Sequence, residues 1–187
     1  RLDVSGEKEV PEPPVSRLGR QIAQASVRLD AIEAKFALIG GLALASHQVV
    51  RATQDVDLLV EAEKANDIDS ELIRLGYICI YRSPDAANYT RGDERLDLLY
   101  ADRPVARRLL AGAVEFHTSL GKLKVVSAEG LIGFKLQALV NDPRRTQDIE
   151  DIRMLLRVNR ATLDMGEIRG YFQLFNRESM LDELLDE

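Results

Sequence analysis

A single cysteine, Cys79, stands in 187 residues. That excludes an internal disulfide framework and any cysteine-based zinc cluster. Histidine is almost as scarce: His47 and His117 are far apart and read as ordinary residues of a helix and a strand, not as ligands or general bases. No apolar run approaches the roughly 18–20 residues that a membrane helix needs, so no membrane partner is expected. No charged-then-apolar leader pattern opens the sequence. The sequence starts at Arg1, which leaves a preceding segment open, and the expected location is cytoplasmic. A basic excess is missing too. The formal net charge of −6 argues against whole-surface affinity for nucleic acid. Arg103, Arg107 and Arg108 form one local basic cluster and Arg144 with Arg145 another; both read as solvated helix faces. There is no internal repeat and no low-complexity segment.

Hydrophobic residues make up 45% of the chain, ordinary for a globular protein and enough for one core with a helical appendage. Residues 1–16, with Pro11, Pro13 and Pro14 among charges, read as a flexible lead-in. Ser16 suits an N-cap for a helix whose apolar stripe is Leu18, Ile22, Ala25, Leu29 and Ile32. Residues 36–39 read as a short buried strand, 42–50 as a helix and 55–60 as a second strand. A helix over about 62–75, ended by Gly76, precedes a strand at 77–82. Two strands, 88–91 and 95–100, face each other around Gly92-Asp93. Pro104 opens a short helix to about 110. A second hairpin joins 114–118 to 122–126 around Gly121. Helices are expected over about 128–140, 144–157, 165–175 and 178–186. The class is therefore α+β: a mixed sheet with flanking helices over 17–126, then a helical region over 127–187.

The informative stretch is Phe36-Ala37-Leu38-Ile39-Gly40-Gly41, thirteen residues, then Asp55-Val56-Asp57-Leu58-Leu59-Val60. Side chains alternate along a strand, so Asp55 and Asp57 share a face while Val56 and Leu58 point into the core. Two like charges held side by side repel, and a cation between them relieves the repulsion. Oxygen ligands without thiols or clustered imidazoles favour magnesium or manganese. A strand running through Gly-Gly into a helix exposes backbone N–H groups, a natural cradle for phosphate. Asp97 interrupts the apolar run Leu96 to Tyr100 and is placed to converge on the same ions from a neighbouring strand. Phosphate donors, paired acids and a third acid together suit phosphoryl or nucleotidyl transfer with two metal ions.

These residues resemble the signature of the DNA polymerase beta-like nucleotidyltransferase superfamily: a glycine pair opening a helix, Asp-x-Asp about a dozen residues on, and a third acid on a later strand. The run Arg51-Ala52-Thr53-Gln54-Asp55-Val56-Asp57 is similar to the AbiEii-type branch, which includes toxins of toxin–antitoxin systems. The segments Val126 to Ala138 and Arg145 to Ile152 also resemble that branch. The resemblance spans about Phe36 to Leu156 and departs from the usual pattern at two positions: Gly41 stands where many relatives carry serine, and Gln147 replaces the usual lysine. It implies Asp55, Asp57 and Asp97 as catalytic, metal-holding carboxylates with Mg2+ or Mn2+. It implies an NTP substrate bound by Gly40, Gly41, Arg51, Thr53, Lys135 and Asp148. The implied acceptor is a protein hydroxyl or the 3′ end of an RNA such as tRNA, with an antitoxin as partner. The competing readings are a nucleotide-binding or protein-interaction module without chemistry, and a metal-dependent nuclease.

Lys135 is singled out by periodicity as well. It lies within the apolar stripe of Leu131, Ile132, Leu136 and Leu139. Its ammonium either snorkels to the surface or reaches the triphosphate or Asp148. On that basis Lys135→Met is expected to leave the fold intact. Asp151 reads as structural.

Overall fold

The computed structural model describes residues 16–118 and 121–187. Of the expected lead-in, only Ser16 falls among them. Its hydroxyl caps α1 (Arg17–Ala31) by accepting from the Gly19 N–H at 3.0 Å. Ile22, Ala25 and Leu29 then turn one stripe of α1 onto the sheet.

Among the described residues the sheet has seven strands, in the order β3-β4-β5-β2-β1-β7-β6. The strands are β1 (Phe36–Ile39), β2 (Asp55–Glu61), β3 (Ile78–Arg82), β4 (Ala86–Arg91), β5 (Glu94–Ala101), β6 (Val114–Thr118) and β7 (Gly121–Val125). β2 is central, with Val56, Leu58, Leu59 and Val60 all buried. It runs antiparallel to β1 and parallel to β5. β1 pairs in parallel with β7, so the sheet is mixed. Eight helices occur among the described residues: α1, α2 (Gly40–Ser46), α3 (Ala65–Arg74), α4 (Pro104–Ala111), α5 (Ala128–Asn141), α6 (Thr146–Asn159), α7 (Met165–Leu174) and α8 (Glu178–Asp186). The α+β class expected from the element order is the one observed.

Two helices differ from expectation. The helix expected over 42–50 begins at the glycine pair itself and stops at Ser46. The Val49 N–H closes onto the Leu44 carbonyl and the Gln48 N–H onto Ala45, with Gln48 at φ 63°. This closure ends a helix in the left-handed region without a glycine. The helix expected over 62–75 is a single 3-10 turn at 62–64 followed by α3. One apolar core joins Ile22 of α1 to Leu184 of α8, so the C-terminal helices share the core of the sheet. Among the described residues no helix is long and apolar enough to cross a membrane.

Candidate active site

Strand register sets the site. Asp57 of β2 lies opposite Ile39 of β1 on one side and Asp97 of β5 on the other. Asn88 of β4 lies opposite Asp97. Residues paired across strands share a face of the sheet, so Asp57, Asp97 and Asn88 form one polar row. Asp55 sits two residues before Asp57, opposite Arg95, on that same face. All three aspartates open into one cavity of about 430 Å³. Its other walls are the Gly40-Gly41 turn, Arg51 and Thr53 of the loop before β2, and Leu131, Phe134, Lys135, Ala138, Arg145 and Asp148 of α5 and α6.

The glycines are required by contact. Gly40 has φ +69°, and a Cβ there would sit 2.2 Å from Asp57 Oδ2. A Cβ on Gly41 would stand 2.8 Å from both Cβ and Oγ1 of Thr53. Thr53 thus occupies the space that a serine side chain at position 41 would need.

The electrostatics follow from crowding. Burial, then the neighbouring charges of Asp97 and Asp55, push the Asp57 carboxyl up to about 6, against opposition from Lys135 and Arg51. Burial also raises Asp97, and the Asn88 amide counters this by donating to Asp97 Oδ1 at 2.6 Å.

Opposite this acidic row stands a buried ion-pair network. Lys135 is only 8% exposed, so it does not snorkel. Its ammonium donates to Asp148 Oδ1 at 3.0 Å and to Asp151 Oδ2 at 2.6 Å. Asp151 also accepts from Arg51 Nε at 3.0 Å and Gln147 Nε2 at 3.1 Å, and Asp148 from Arg145. Burial alone would raise Asp148, but the hydrogen bonds from Arg145 and Lys135 hold it below the usual carboxylate range. Asp151, read from the sequence as structural, is the hub tying α5, α6 and the 47–54 loop together. The expectation that Lys135→Met spares the fold does not fit this network: methionine would remove the cation shared by two buried carboxylates, leaving Asp151 to Arg51 and Gln147 and Asp148 to Arg145.

Asn88 belongs to no sequence motif, although counting outward from the Gly92-Asp93 turn puts it opposite Asp97. His47 sits outside the site. Its Nε2 donates to the Val126 carbonyl at 2.8 Å and its ring meets Phe116 edge-on.

Three aspartates and a cavity give an oxygen-only donor set, which suits a hard dication such as Mg2+ or Mn2+. Among the described residues no three acid, histidine or cysteine side chains already converge as a finished metal-binding group. The carboxylates line the same opening without gripping a common point.

The fold is shared with solved structures that include an adenylyltransferase and a nucleotidyltransferase-like protein. The antibiotic-resistance factor ANT(2″)-Ia, solved in complex with adenylyl-2″-tobramycin, superposes with a TM-score of 0.66 at 18% identity, covering 86% of this chain and 98% of that one. A nucleotidyltransferase-like protein from Paracoccidioides brasiliensis gives a TM-score of 0.58 at 18% identity, covering 90% and 92%. The lincosamide antibiotic adenylyltransferase LnuA, lincomycin-bound, gives 0.55 at 14%, covering 77% and 98%. At these identities the likeness establishes the fold. No protein-family model matches the chain, and a search of curated proteins found no match.

Proposed function

We propose that this protein transfers a nucleoside monophosphate from an NTP to an acceptor hydroxyl. The observation that carries the reading is the row of Asp57 and Asp97 on adjacent strands, with Asp55 beside them, facing the bare backbone of Gly40 and Gly41 across one cavity. A fold neighbour named as an adenylyltransferase supports it.

Asp55, Asp57 and Asp97 would hold Mg2+ or Mn2+, which when bound supplies positive charge against the repulsion among the carboxylates and the triphosphate. The chain's own part is positioning and proton handling. Asn88 fixes one oxygen of Asp97, and the other is left to take the proton of the acceptor hydroxyl. The acceptor oxygen then bonds to the α-phosphorus, the bridge to the β-phosphate breaks, and pyrophosphate leaves with the electron pair. Gly40 and Gly41 admit the phosphates against the backbone. Lys135 and Arg145, on the helical wall, offset the charge that builds on the leaving group. Arg51 and Thr53 shape the rim, Arg51 through its pair with Asp151.

The acceptor classes raised by the sequence are a protein hydroxyl and an RNA 3′ end, with a toxin role and an antitoxin partner. Fold neighbours solved with adenylyl-2″-tobramycin or with lincomycin add small molecules. The test is incubation with each α-labelled NTP, magnesium and a whole-cell extract, followed by fractionation into protein, RNA and small molecules. Label in any fraction, lost in Asp57→Asn, supports transfer. Nucleotide binding with no label anywhere would favour the inactive nucleotide-binding module instead.

A further inference from the structure

A second cavity, of about 490 Å³, opens between α4, α5 and α7. Its walls are mainly apolar: Val105 and Leu109 from α4, Phe134 from α5, and Tyr171, Leu174 and Phe175 from α7 and its end. Size and lining are those of a small-molecule site. Phe134 lines both this pocket and the cleft that holds the aspartates, so the two openings share that residue as a wall. Turning along α5 shows why. Leu131, Lys135 and Ala138 face the cleft, Gly133 and Gln137 face the second pocket, and Phe134 stands on the ridge between them.

The polar groups of the pocket are few. No acidic residue lines it. Arg103 is exposed at its edge and has no ion-pair partner among the described residues. The exposed Gln137 adds an amide. The Tyr171 hydroxyl is already committed to Glu167 at 2.6 Å, which leaves its ring as pocket wall. Glu167 itself lines a different opening beside Arg108. Gly133 lets the α5 backbone lie against that ring: a Cβ there would be 3.2 Å from three of its carbons. Leu174 is 64% exposed, a large apolar side chain left open at the mouth.

We propose that this pocket receives the body of the acceptor, and that the acceptor is a small aromatic anion bearing a hydroxyl. The ring packs among Phe134, Tyr171 and Phe175, the anionic group meets Arg103, and the hydroxyl reaches past Phe134 to Asp97. Three observations choose this occupant: continuity with the cleft through Phe134, the aromatic walls, and a lone cation with no carboxylate. The same charge pattern disfavours a polycation, which needs acids to replace its water. The inference rests on the transferase reading for its meaning, but the pocket can be tested without turnover.

The probe is anilinonaphthalene sulfonate, an aromatic anion whose fluorescence rises on leaving water, added to the full chain without nucleotide. Saturable binding to one site is expected. Arg103→Glu and Leu174→Asp, both at exposed positions, should each weaken it by about tenfold, the loss of one good contact, with the melting temperature unchanged. Asp57→Asn should leave it alone. MgATP at a concentration that saturates the cleft should leave the probe bound, since donor and acceptor must sit side by side. Binding indifferent to Leu174→Asp overturns the pocket. Binding indifferent to Arg103→Glu overturns the anionic acceptor, as does displacement of the probe by tobramycin. Displacement by MgATP overturns the acceptor role. A chain that binds no ATP refutes the transferase reading, while the two variants still decide the pocket.

Discussion

Asp57 holds a charge that the fold resists. Its carboxyl sits at about 6 in the ion-free protein, against an ordinary 3.8. The native state therefore holds the proton more tightly than the unfolded chain. The resulting stability is fully present below about pH 4 and is lost as pH rises through 6. Ionised Asp57 costs up to about 3 kcal/mol at neutral pH, about two pH units of preferential protonation. Asparagine carries no charge at any pH. In EDTA at pH 7 and above, Asp57→Asn should thus melt higher than the parent, and the gap should close towards pH 4. Denaturant melts across pH 4–8 measure this, and equal stability at pH 7 would contradict it. The same variant should lose NTP transfer. Lys135 behaves in the opposite way. Removing its ammonium leaves Asp148 and Asp151 short of a partner in a buried place. Lys135→Met should lower unfolding stability by about 3 kcal/mol. The double variant with Asp151→Asn should recover part of that loss, because one of the two carboxylates that shared the ammonium no longer carries a charge. Chemical denaturation of the parent and these two variants checks this, and a Lys135→Met as stable as the parent would refute the network's role.

At the scale of elements, the turn from β1 into α2 is fitted at two places, Gly40 against Asp57 of β2 and Gly41 against Thr53 of the loop before it. Gly41 and Thr53 compete for one space. Gly41→Ser should therefore destabilise by about 1–3 kcal/mol, the usual cost of overpacking, and Thr53→Gly should relieve most of it. Additive losses in that double variant, read by thermal melts, would show that the two positions are independent. These contacts also mark the limit of sequence reading. The Asp-x-Asp strand, the glycine pair and the apolar run broken by Asp97 were legible because alternation alone puts their side chains on faces. The hairpin register, and with it Asn88, was legible in principle from the two-residue turn. The Lys135–Asp148–Asp151–Arg51 network was not, since Arg51 and Asp151 are brought together by how α6 packs on α5. The end of α2 leaves no sequence signal because Gln48, not glycine, adopts the left-handed closure. The pocket between α4, α5 and α7 is built from residues that each look like ordinary core or surface in one dimension.

Across the whole molecule, the acidic row and the basic network face each other over one opening, and both belong to a single core. A bound magnesium nucleotide should therefore stabilise the entire fold and not a local segment. At a hundredfold excess over its dissociation constant the gain is about 2.7 kcal/mol, seen as a single, higher melting transition in the parent and absent in Asp57→Asn. A first transition that ignores the ligand would mean that sheet and helical tail unfold separately. The strand order has a further consequence, in time. β2 meets its parallel neighbour β5 only after some forty intervening residues of chain have been made, and β1 waits for β7, about eighty residues on. Long-range parallel pairing of this kind is slow and comes late in folding. On the ribosome, Asp57 emerges well before Asp97, and both precede Lys135 and Asp151 by tens of residues. No nascent fragment that stops short of Asp151 carries the carboxylate row together with its cationic wall. The candidate site therefore takes shape only once α6 has joined the sheet.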